Sequence, residues 1–330
     1  MLPSDYVRSL DERLFSQVEL MKKLVGLRLP EIGGKASFAG VFTGLIIGAG
    51  YAFGKEEPRP GFMLESASDW PIVQRGAGHA SVYLAGTTPY EYISPASGEA
   101  SRLELAFRQA REGIASYVGD WAESVTILAI KSPKPLCGPG GGVRCAGNSA
   151  TLGARISMKD FPRSITTAGH ATVKNEPAYD DHRNLIGFVR ATIDPLHDGL
   201  RQSDKATADI AVIDLLESIA DDEFVIPRCE GVAAVKRRHE VLVSHGANTQ
   251  GRWGAVEFFG AKVSLPGYGT WAEATTVMPS ISRDGDSGAM VYNELDELVG
   301  HIVSGDPLTY SVVQDAEFQF KALGDAELRE

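Results

Sequence analysis

Ser287 stands in the run Arg-Asp-Gly-Asp-Ser-Gly-Ala-Met-Val-Tyr-Asn from Arg283 to Asn293. Gly285 and Gly288 carry no Cβ, so backbone N–H groups beside the hydroxyl can come close to a bound molecule. The same residues also make an ordinary turn between strands. A serine is a poor nucleophile at neutral pH unless a base takes its proton and a third group orients that base. The sequence supplies a candidate for each. His170 follows the β-prone run from Ser164, which turns at Ala168-Gly169, and Asp209 opens the mostly branched, apolar run Ile-Ala-Val-Ile-Asp-Leu ending at Leu215. An acid at the mouth of a buried strand is half desolvated, which suits a group that orients an imidazole and steadies its charge.

The order His170, Asp209, Ser287 is one of the chain orders in which such a triad is built. Thr-Ala-Gly-His-Ala from Thr167, Asp-Ile-Ala-Val from Asp209 and Gly-Asp-Ser-Gly from Gly285 together resemble the three signatures of the trypsin/chymotrypsin-like serine proteases. Val299 to Gly305 is similar to that family's strand after the nucleophile, along whose edge substrate backbone pairs. The resemblance spans roughly residues 125 to 325. It implies a mostly β chain, a chymotrypsin-like double β-barrel with an N-terminal α/β extension, in which the His and Asp motifs belong to the first barrel and the Ser motif to the second.

The implied activity is that of a serine endopeptidase hydrolysing peptide bonds in a protein or peptide substrate through an acyl-enzyme. The resemblance assigns His170, Asp209 and Ser287 to catalysis, the N–H groups of Gly285 and Ser287 to the oxyanion hole, and Ile281, Ser304 and Gly305 to substrate binding. Ile281 at the pocket base, where an acid would select Lys or Arg, implies an apolar or small residue before the cleaved bond; Asp306 would reverse this if it turned inward. In the family's zymogens the residue matching Asp286 pairs with a freshly cut amino terminus. Ile32-Gly33-Gly34 is faintly similar to such a terminus but lies too far before His170, so a side chain or the N-terminal residues are expected to hold Asp286 without cleavage at Glu31.

A composition of 43% hydrophobic residues is that of a globular chain with a sizeable core. The net charge of −11 argues against a nucleic-acid partner, since phosphate binding needs clustered Lys and Arg. Lys236-Arg237-Arg238-His239 is short and reads as a solvated edge. His79, His182, His197, His239, His245 and His301 show no paired metal spacing, so no metal is expected, and the glycine-rich loop 138–142 lacks the Lys-Ser/Thr ending of a phosphate cradle, so no cofactor is expected either. Cysteines occur at 137, 145 and 229, without those that usually flank the family's His and Ser motifs. Cys137 and Cys145 are placed to bridge the loop between them, a pairing the sequence leaves open. Met1 to Arg8 lacks the layout of a signal peptide, and the cysteine count suits a reducing compartment, so the expected type is a divergent intracellular one, in the cytoplasm.

The elements that must position these residues are legible in outline. Val7, Leu10, Leu14, Val18, Met21 and Val25 predict an amphipathic helix over 5–25, and Leu103, Phe107, Ala110, Ile114 and Tyr117 a second over 100–117. Residues 36–54 carry no charge and place Gly40, Gly44 and Gly48 four apart, the spacing of a helix pair in a membrane. Five glycines in that stretch lower helix propensity, so one or two buried strands are expected and no membrane partner. Short β-rich runs fill the chain from Ser149 to Ser304, and 315–323 suits a closing helix. The expected division is an N-terminal α/β module over 1–124, its role unassigned, and a protease domain over 125–330. An esterase would want Gly-x-Ser-x-Gly, and Ala289 stands at its last position. The alternative from another class is a regulated or inactive protease-fold binding protein whose N-terminal module, residues 1–124, recognises a regulatory partner.

Overall fold

The computed structural model describes residues 1–30, 37–53, 57–83, 92–136, 142–145, 147–195, 208–220, 224, 226, 228–235, 240–265, 269–324 and 326–329. Ile32-Gly33-Gly34, most of the loop 138–142 with Cys137, the run 236–239, and His197 lie outside them.

The first helical stretch is two helices, α1 (Pro3–Leu10) and α2 (Glu12–Lys22), where the sequence predicts one. Asp11 breaks it: its backbone is extended and its carboxylate accepts from the N–H groups of Arg13 and Leu14 at 2.9 and 3.0 Å, capping α2. The break rotates the apolar stripe, so Val7, Leu14, Val18 and Met21 are buried while Leu10 is 61% exposed. The uncharged stretch is strand β1 (Phe42–Phe53), buried along most of its length as expected. Gly50 is needed there because a Cβ would collide with Ala261 on the facing strand.

Next come β2 (Pro58–Ser66), β3 (Ile72–Arg75), β4 (Ala80–Tyr83), β5 (Tyr92–Ile93), helix α3 (Ser97–Val118) and β6 (Thr126–Ile130). β6 lies between β2, to which it runs parallel, and β3, so it joins these strands in one sheet. The apolar face of α3 covers it, with Leu103, Phe107 and Ile114 packed in one cluster with Phe42, Phe62 and Ile127. Arg111 crosses that interface: its guanidinium donates to the carbonyls of Ala122 (2.7 Å), Val125 (3.0 Å) and Gly76 and to Gln74 Oε1 (2.9 Å).

After the short strand β7 (Lys134–Pro135) the chain is almost wholly β. It forms β8 (Val143–Cys145), β9 (Asn148–Ala150), β10 (Arg155–Met158), β11 (Phe161–Thr167), β12 (Pro177–Tyr179), β13 (Leu185–Ile193) and β14 (Ile210–Leu215). Then follow β15 (Val241–His245), β16 (Gln250–Leu265), β17 (Gly269–Met278), β18 (Met290–Tyr292), β19 (Leu298–Asp306), β20 (Tyr310–Asp315), α4 (Ala316–Ala322) and β21 (Glu327–Leu328). The mostly β expectation is met, in two sheets with helices added at the N-terminus. One is eight-stranded, in the order β21-β10-β11-β14-β13-β12-β8-β9. The other is thirteen-stranded, and within it β15, β18, β19, β20, β17 and β16 close into a ring because β15 also pairs with β16. β1 pairs antiparallel with β16, which carries the N-terminal strands onto the side of that ring.

Between β9 and β10 the chain leaves the strand ladder. Thr151 N–H turns away to the carbonyl of Ser287 (2.8 Å) and Gly153 N–H to that of Thr166 (2.7 Å). Removing the buried guanidinium in Arg111→Met leaves several inward-facing acceptors unpaired, at about 1–3 kcal/mol for each fully desolvated group. The expected loss is on the order of 3 kcal/mol in urea unfolding, and a change under about 1 kcal/mol would show that Arg111 does not fasten α3 to the sheet.

Candidate active site

β11 and β14 are neighbours in register, with Thr167 opposite Ala211. The residues just beyond them, a tight turn at Gly169–Ala171 and Asp209 on the approach to β14, therefore come together. Gly169 is required, because a side chain there would run into the carbonyl of Ile193. His170 Nδ1 is 2.5 Å from Asp209 Oδ2, and the His170 backbone N–H donates to Asp209 Oδ1 at 3.0 Å. Ser287 arrives from the other sheet on the turns before β18, with Oγ 3.0 Å from His170 Nε2. Thus the three sequence-predicted residues form one hydrogen-bonded line across the two sheets, and Asp209 and Ser287 are both buried.

Sequence reasoning missed the partners that fix Asp209. Trp271 on β17 donates its indole N–H to Asp209 Oδ2 at 3.1 Å. Gln314 Oε1 accepts from the Asp209 backbone N–H at 2.7 Å, and Gln319 Nε2 donates to the Asp209 carbonyl at 2.9 Å. A tryptophan on one strand, a glutamine on another and a glutamine within α4 carry no motif that ties them to an acid so far back in the chain.

Asp286 is fully buried, and its carboxylate accepts from the N–H groups of Arg283 and Asn248, both at 2.8 Å, and from Thr249 Oγ1 at 2.5 Å. A side chain and two backbone amides hold this acid. Gly285 sits at φ +95° and its N–H donates to the carbonyl of Leu136 at 2.6 Å. Ile281 is fully buried in an apolar cluster that also contains Leu136, Ala289 and Ile302. Ser304 and Gly305 pair with β7, opposite Pro135 and Lys134 respectively, and the buried Ser304 hydroxyl has no hydrogen-bond partner among the described residues. Asp306 does not supply a pocket charge: its Oδ1 accepts from the N–H groups of Leu308 (2.9 Å) and Thr309 (3.1 Å), closing the turn between β19 and β20.

Among the described residues no three His, Cys, Asp or Glu side chains are grouped to hold a metal. Cys145 carries a free, buried thiol, its pKa pushed up to about 12 by burial. No helix among the described residues is long and apolar enough to cross a membrane.

No family model matches this chain, and no curated protein matches it. Solved structures do. A glutamic-acid-specific serine protease with a histidine triad in substrate binding is 16% identical, over 58% of this chain and 98% of that one, at a TM-score of 0.45. Cellulomonas bogoriensis chymotrypsin is 15% identical over 58% and 96%, at 0.43, and a Nocardiopsis protease 15% identical over 58% and 97%, at 0.45.

His301 on β19 is buried, with Nε2 3.1 Å from Thr166 Oγ1 and Nδ1 2.6 Å from Gln319 Oε1. Burial pushes its pKa down to about 4 from the ordinary 6.5. Between those values the unfolded chain binds a proton that the folded chain does not, so stability is full above the upper value and falls as pH drops toward the lower. At about 1.4 kcal/mol per pH unit, the cost between pH 7 and pH 5 is about 2 kcal/mol. His301→Gln should lose correspondingly less over that interval in urea melts. Equal losses in both proteins would show that His301 is not held neutral.

Proposed function

We propose that this chain is a serine endopeptidase that acts on protein or peptide substrates. The observation that carries the reading is the continuous contact Asp209–His170–Ser287, joining an acid and a base on one sheet to a hydroxyl on the other. In the proposed reaction Ser287 Oγ attacks the peptide carbonyl while His170 Nε2 takes its proton. His170 then returns that proton to the leaving amine, and a water repeats the sequence on the acyl-enzyme. Asp209 holds the tautomer with hydrogen on Nδ1 and steadies the imidazolium. The Trp271 indole and the His170 amide, one on each of its oxygens, fix its orientation.

The N–H groups of Gly285 and Ser287 are the proposed oxyanion donors, acting where charge develops and water is excluded. Asp286, gripped by Thr249 and two amides, sets the turn that aims them. In this reading residues 125–330 supply the chemistry and residues 1–124 support it and offer a surface for a regulatory partner. The low cysteine count supports work in a reducing compartment such as the cytoplasm.

Ser287→Ala should abolish both peptide cleavage and labelling by a fluorophosphonate; labelling that survives the change would end the assignment. Asp209→Asn, which preserves shape and reverses the tautomer, should cost about 10⁴-fold in kcat. Trp271→Phe, which removes one neutral donor worth about 1 kcal/mol, should cost roughly five- to tenfold in kcat with KM little changed.

A further inference from the structure

A peptide about to be cut lies extended, pairs its backbone with a free strand edge, and offers its carbonyl to the oxyanion donors while one side chain fills a pocket. A stretch of this chain lies along that edge, offers a carbonyl to one of the proposed donors and buries a side chain. β7 pairs antiparallel with β19 at the two positions proposed for substrate backbone, Pro135 opposite Ser304 and Lys134 opposite Gly305. The next residue, Leu136, puts its carbonyl oxygen 2.6 Å from the N–H of Gly285. Its side chain is fully buried in the apolar cluster that contains Ile281. The arrangement leaves Lys134 exposed and Leu136 inside, as when a peptide shows one side chain to solvent and inserts the next but one.

We propose that Lys134-Pro135-Leu136 is a tethered occupant of the substrate cleft, and that it reports the cleft's preference: an extended peptide with a leucine-sized apolar residue before the cleaved bond. This rests on the serine-endopeptidase reading. The preference follows from the cluster that Leu136 joins, whose buried members, Ile281, Ala289 and Ile302 among them, are all hydrophobic and offer no charge to a Lys, Arg or Glu side chain, and burying one unpaired is costly. The tether follows from the geometry, because an incoming peptide needs the edge of β19 and the N–H of Gly285 that this segment holds. An occupied site lowers apparent affinity by the fraction of time it is closed, and leaves the rate of the filled site unchanged.

The test uses the full chain with acetyl-Lys-Pro-Leu-p-nitroanilide, its analogues carrying Lys or Glu in place of Leu, and a fluorophosphonate. Lys134→Pro removes a backbone N–H at a paired position while touching only an exposed side chain. It should lower KM for the leucine substrate at least tenfold, leave kcat within about twofold, and raise the labelling rate of Ser287 by a similar factor. Leu136→Met, which keeps the volume, should change neither, whereas Leu136→Ser should act like Lys134→Pro. The leucine substrate should be cut at least 100-fold faster in kcat/KM than either charged analogue.

If Lys134→Pro folds with an unchanged melting temperature and its KM and labelling rate equal those of the parent, the tether is wrong. If a charged analogue is preferred, the assigned specificity is wrong. In both cases the protease reading survives. Absence of labelling and cleavage in every variant would remove that reading and this inference with it.

Discussion

A 3.0 Å contact between an imidazole on one sheet and a hydroxyl on another exists only while the two sheets keep one fixed spacing. Much of what surrounds it serves to keep that spacing. Thr151 N–H bonds the carbonyl of Ser287, and Thr151 Oγ1 donates to that of Gly285 at 2.9 Å, so a residue between β9 and β10 holds the turn of Ser287 on both sides. Thr166 and His301 meet across the same interface. Gly288 comes so near the carbonyl of Thr151 and the amide of Ala168 that no side chain fits. The clamp is largely backbone, which varies little in position with side-chain rotamer and so sets a distance well.

Buried acids around the site are each satisfied differently. Asp209 accepts from an imidazole, an indole and an amide, and Asp286 from a hydroxyl and two amides. Asp315, whose carboxyl burial drives well above its ordinary range, accepts from Phe318 N–H at 2.9 Å and caps α4. That cap has reach. α4 carries Gln319, which grips both the Asp209 carbonyl and the ring of His301, so the cap on this helix helps seat Asp209.

The residues of the candidate site were legible because their setting is local. Gly169 before His170 and the glycines around Ser287 are turn chemistry written in adjacent letters, and the apolar run after Asp209 is a strand written the same way. Trp271, Thr249, Gln314 and Gln319 were not legible, since each meets its partner only through pairing of distant strands. The broken first helix was misread for a related reason. Apolar spacing runs unbroken through Asp11, whereas its side chain is better spent capping a new helix than facing solvent in the middle of one. Asp306 looked like a candidate pocket charge until the turn it closes was visible. The apolar, glycine-bearing β1 read correctly as a buried strand, but nothing in its period names β16 as its neighbour.

That neighbour has a consequence for synthesis. During translation β1 and β2 emerge together and can form a hairpin at once, and Leu45 on β1 bridges Arg28 just upstream, but from Gly48 to Ala52 the second edge of β1 is matched by β16, some two hundred residues later. Until β16 emerges that short, uncharged edge lacks its partner strand, and closing it is a high-contact-order event. The N-terminal strands therefore complete their pairing only after most of the chain has been made.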